Sequence, residues 1–111
     1  METFISLNAA TVTGPGASFE LQEVHSNFVL QVTTSGSAGS YAVVYLEFSL
    51  DGVNWVSQPT VNNGSGAIHV GGEADGSISR MFIATGAPAN YVRANCTTIS
   101  SSTVTAIIMA A

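Results

Sequence analysis

YAVVYLEFSL, residues 41–50, alternates without a break. Val44, Leu46, Phe48 and Leu50 fall on one side, and Val43, Tyr45, Glu47 and Ser49 on the other. Successive side chains of a strand point to opposite faces, so a period of two predicts a strand with one face in a core. The other face is left to solvent or to an interface. FVLQVTT (28–34) behaves alike, with Phe28, Leu30 and Val32 inward, and SFELQEV (18–24) pairs Phe19 with Leu21. In YVRANCTTI (91–99), Val92, Ala94, Cys96 and Thr98 form one set. In TVTAIIMA (103–110), Val104, Ala106 and Ile108 alternate with Thr105, Ile107 and Met109. SRMFIAT (79–85) and GAIHVGG (66–72) supply further short strands. No stretch shows a helical face.

Turn chemistry punctuates these runs. TGPGAS (13–18), TSGSAGS (34–40), NNGSG (62–66), GGEADGS (71–77) and TGAPAN (85–90) each read as a break. Ser100–Ser102 reads as a hairpin between the last two strands. The expectation is an all-β chain: a single, jelly-roll-like β-sandwich of about seven to eight mainly antiparallel strands. Residues 1–16 read as an N-terminal arm or first strand, and residues 17–111 as the sandwich domain.

Composition supports this and excludes some functions. Of 111 residues, 46% are hydrophobic but only 8% are charged, against about 25% in ordinary globular chains. Ser, Thr, Asn and Gly carry the polarity instead. Arg80 and Arg93 are the only strong cations, and the net charge is -5. Nucleic-acid binding needs a basic footprint to neutralise phosphates, and an acidic membrane surface repels such a chain. Neither partner is expected. Cys96 stands alone, so no intrachain disulfide is expected and a reducing compartment fits better than an oxidising one. METFISLNAATVTG lacks the basic and long apolar regions of a signal peptide.

Catalytic signatures are missing. His25 and His69 have no zinc-type spacing, and Cys96 alternates with Val92 and Ala94 like a small core residue. Glu20 with Glu23, and Glu73 with Asp75, are candidate carboxylate pairs that read more simply as solubilising charges. No catalytic residue, metal site or cofactor is therefore expected, and the chain reads as a non-enzyme.

One local cluster has two readings. Asp51-Gly52 suits a tight turn because Gly tolerates positive φ, with Trp55 packing over it. Alternatively Trp55 is a platform for a sugar ring, with Asp51 or Asn54 hydrogen-bonding to it. A second candidate is an interaction face made of the outward residues Val43, Tyr45, Ile107 and Met109.

Three stretches carry a resemblance: TGPGASFEL, LEFSLDGVNW, and TGAPANYVRANCTTISSSTVTAIIMAA. Together they resemble small virion structural proteins of tailed bacteriophages, from about Thr13 to the C-terminus. The resemblance implies a capsid decoration (cement) protein or a minor tail protein. Its partner would be the major capsid protein, its state a homo-oligomer such as a trimer. It would be assembled in the host bacterial cytoplasm and located in the virion. SLDGVNW followed by ANYVRAN is also similar to discoidin-like jelly rolls, from which this chain departs in its shorter length and its lack of their disulfide. That similarity implies the alternative function, a phage tail or surface module recognising host glycan.

Overall fold

A computed structural model describes residues 2–23, 25–57, 68–71, 78–85 and 89–111, with the side chains of 37–39, 68, 69 and 71 left aside. Within them the chain is all-β, in eight strands: β1 (Glu2–Ala10), β2 (Gly14–Pro15), β3 (Phe19–Glu20), β4 (Asn27–Ser49), β5 (Val56–Ser57), β6 (Ile68–Gly71), β7 (Ile78–Thr85) and β8 (Tyr91–Ala110). All pairings are antiparallel.

Two strands dominate. β4 has 23 residues and β8 has 20, and they pair along almost their whole length. A straight strand of the length of β4 would span about 76 Å at ~3.3 Å per residue. The longest dimension of the molecule is 40 Å. The ribbon must therefore fold back on itself, and the register shows where. Gly36 faces Ser102 and Tyr41 faces Ser100, so residues 37–40 of β4 oppose Ser101 alone. Ser101 has a positive φ of 52°, and the Ser40 hydroxyl donates to its carbonyl at 2.7 Å. Gly36 is required here: a Cβ would lie 2.4 Å from the Ser101 carbonyl oxygen. Strands that pass from one layer of a sandwich to the other turn such corners by bulges and bends.

Folding at this corner makes two layers from one hydrogen-bonded sheet. The front layer is ordered β1, the second half of β8, the first half of β4, then β7. The back layer holds β2 and β3, the first half of β8, the second half of β4, then β5 and β6. Their inner faces meet in one core that includes Leu30, Val32, Ala106 and Ile108 from the front and Val44, Leu46, Val92 and Ala94 from the back. Phe28 meets Phe48 across the layers with ring centroids 4.6 Å apart, and Phe4 of β1 stacks on Phe19 of β3 at 4.5 Å. The expected all-β sandwich class is what the chain adopts.

Four local expectations differ. Ser100–Ser102 is not a hairpin, because β8 runs on through it; it is the outer side of the corner. Residues 34–40 likewise bend β4 without ending it. Thr98 is not an inward residue: a bulge between Val43 and Val44 in the register inserts Thr97, which turns Ile99 toward the core instead. Leu50 is 70% exposed, and Ser49 is buried in its place, because the chain leaves the strand at Ser49 to turn. NNGSG and residues 72–77, with Glu73 and Asp75, lie outside the described residues.

Candidate functional site

The Asp51 turn is built from its own side chains. Asp51 Oδ1 accepts from the amides of Val53 and Asn54, both at 2.8 Å, and from the Ser49 hydroxyl at 2.9 Å. Its Oδ2 accepts from the Asn54 amide group at 2.8 Å. The Ser49 hydroxyl in turn accepts from Gly52 N at 2.9 Å. Backbone amides at Asn54 and Val53, then the side chains of Asn54 and Ser49, hold the Asp51 carboxyl far below the usual carboxylate range. Gly52 has φ +75°, and a Cβ there would approach the Tyr91 ring at 3.3 Å. Asn90 fastens the turn to the sheet through its side chain, which donates to the Leu50 carbonyl at 3.0 Å.

Trp55 does not close over the core. It lies half-buried on the outer side of the back layer, where the Arg93 guanidinium carbon sits 4.2 Å from its ring centroid. Arg93 donates to Glu47 Oε1 at 2.7 Å, and the Asn95 side chain donates to Glu47 Oε2 at 3.2 Å. The facing register of Glu47 with Arg93 and of Tyr45 with Asn95 makes these neighbours across β4 and β8. Val43 and Tyr45 are half-buried on this same face, and so is Tyr91. The back face is thus aromatic and polar, with its charges locally paired.

The front layer presents a different outer surface. Met109 faces Val29, and Val29 faces Ile83; Ile107 faces Gln31, and Gln31 faces Met81. These rows line a depression of about 470 Å³ that Thr3 completes at the β1 side. Among the described residues, its lining carries no charge. Met81 is 63% exposed, Ile5 53% and Ile83 45%. Ile107 and Met109 therefore belong to this face, whereas Val43 and Tyr45 belong to the back. The structure divides the four between opposite sides of the sandwich. Sequence reading missed Val29, Met81, Ile83 and Ile5, because their adjacency depends on the register between strands.

Other candidates resolve into structural contacts. Cys96 is buried, which pushes its thiol upward, and it donates to the Thr98 carbonyl at 3.3 Å. His25 is buried against Glu2 at 2.6 Å. The Gln22 amide, and then His25, hold the Glu2 carboxyl below its ordinary value. The backbone of His69, in β6, pairs with Val43 of β4. Among the described residues, no three His, Cys, Asp or Glu side chains gather where a metal ion could be held. No family model matches the sequence, and no curated protein matches it.

Proposed function

We propose that this chain is a non-enzymatic structural protein of a bacteriophage virion that binds the assembled capsid as a decoration (cement) protein. The observation that carries the binding role is the back face, which sets Tyr45, Trp55, Tyr91 and Arg93 on the outside of a sheet. Tyr, Trp and Arg are the residue types that dominate binding energy at protein interfaces. Tyr45, Tyr91 and Arg93 stand on paired strands and Trp55 rests against the Arg93 guanidinium, so less side-chain entropy is lost on docking. Arg93 is held by Glu47 before a partner arrives. The virion context rests on the resemblance of the three stretches described above.

Binding would follow from surface complementarity to a composite site that only the assembled lattice of major capsid protein presents. Many copies on one particle then add stability through multivalency. The glycan reading asks Asp51 or Asn54 to hydrogen-bond to a sugar on Trp55, yet both Asp51 oxygens and the Asn54 amide nitrogen already serve the turn, and Arg93 lies over the Trp55 ring.

The test is cosedimentation of the purified chain with assembled capsids and with unassembled capsid protein. Saturable binding to capsids alone, weakened by Trp55→Ala and Arg93→Ala in folded protein, is the expected result. Absence of capsid binding together with a sugar affinity lost in Trp55→Ala would replace this reading with the glycan one.

A further inference from the structure

We infer that the front face is a self-association surface, on which a second copy of this chain packs face to face about a twofold axis. This goes beyond the capsid-binding reading, which uses the opposite side of the sandwich.

Three observations carry the inference. First, among the described residues the surface is uncharged, in a protein of net charge -5. Arg80 on β7 and Glu2 on β1 occupy the alternate register positions, facing Val32 and Ala110 and not this surface. Glu20, Glu47, Asp51 and Arg93 belong to the back half. A second copy carries the same net negative charge, and here it can approach without burying any charge of the described residues. Second, the area suffices. Four strands about 4.8 Å apart and eight residues long present roughly 500 Å². Two such faces bury about 1,000 Å² in all, the threshold for a specific interface. Third, the shape is self-complementary in kind. Each face offers a depression of about 470 Å³ walled on the β7 side by the exposed Met81 and Ile83. A twofold lets these side chains of each copy fill the depression of the other, and Met adapts readily to such gaps. An isologous contact of this kind closes on itself, giving a dimer without further growth.

Sedimentation equilibrium of the full chain tests the proposal, with Met81→Lys, Ile83→Lys and Trp55→Ala variants and urea unfolding to confirm their folds. A dimer is expected that weakens at least tenfold in Met81→Lys and in Ile83→Lys and is unchanged in Trp55→Ala. It should persist at about 1 M salt, where charge pairs are screened. A spin label on Gln31→Cys, at the centre of the face, should report an intercopy distance close to the ~10 Å of packed sheets plus the label arms. Any of three results overturns the inference: a monomer up to about 1 mM, a trimer, or a dimer indifferent to both lysine substitutions. Capsid binding by a chain that stays monomeric would remove this proposal and leave the capsid reading standing.

Discussion

The Ser6 hydroxyl accepts the amide hydrogen of Ala94 at 2.9 Å, joining the edge strand of the front layer to the centre of the back one. The same hydroxyl donates to the Ala17 carbonyl at 2.8 Å, and Ala17 N donates to the Ser6 carbonyl at 2.7 Å. A bulge between Ile5 and Leu7 makes this possible, because it turns both Ser6 and Leu7 inward. Ser6→Ala leaves a buried amide without a partner and should lower stability by about 1–3 kcal/mol. Gly16→Ala should do at least as much, since its Cβ would fall 2.2 Å from the Ser6 carbonyl oxygen. Urea unfolding of both variants measures the effect.

Thr34 gives a prediction of opposite sign. Its hydroxyl is buried at the approach to the corner, and it has no hydrogen-bond partner among the described residues. Thr34→Val keeps the shape and removes the desolvated oxygen. The variant should gain about 1 kcal/mol, read as a higher urea midpoint at unchanged slope.

Acid should loosen the Asp51 turn. Its folded pKa lies below its unfolded one, so its contribution is full above the unfolded value of about 3.9. That contribution disappears as pH falls through the folded value. Wild type should therefore lose stability below about pH 4 more steeply than Asp51→Asn, and the two curves should converge toward acid. Thermal unfolding across this range reads the difference.

Leu46 and Trp55 should separate folding from binding. Leu46 is fully buried in the core, and Leu46→Ala should cost about 2–5 kcal/mol. Trp55 stands outside the core against Arg93, and Trp55→Ala should cost about 1 kcal/mol or less. Capsid binding should show the reverse order among the folded proteins.

Alternation made much of the fold legible in advance. Phe28, Leu30, Val32, Val44, Leu46 and Phe48 are all buried as their period of two requires. The corner was not legible, because the Gly and Ser residues of 34–40 and 100–102 relax backbone geometry equally well in a hairpin and in a bent strand. The exchange of Ile99 for Thr98 reflects a bulge, a one-residue event with no compositional mark. Leu50 departs from the alternation because Ser49 and Asp51 side chains capture the backbone one residue before the pattern ends. Of the surface, Tyr45, Trp55, Ile107 and Met109 stood out by residue type. Their separation into two faces came only with strand register.

The continuity of β4 and β8 has a mechanical meaning. A capsid gripped on the back face and a second copy held on the front would pull against each other along the same two backbones. No hinge or linker stands between the two attachments along that path. Because both strands run through both layers, such a load would be carried around the corner by continuous covalent backbone as well as by the core contacts between the layers. A domain built this way would transmit strain between its two attachments.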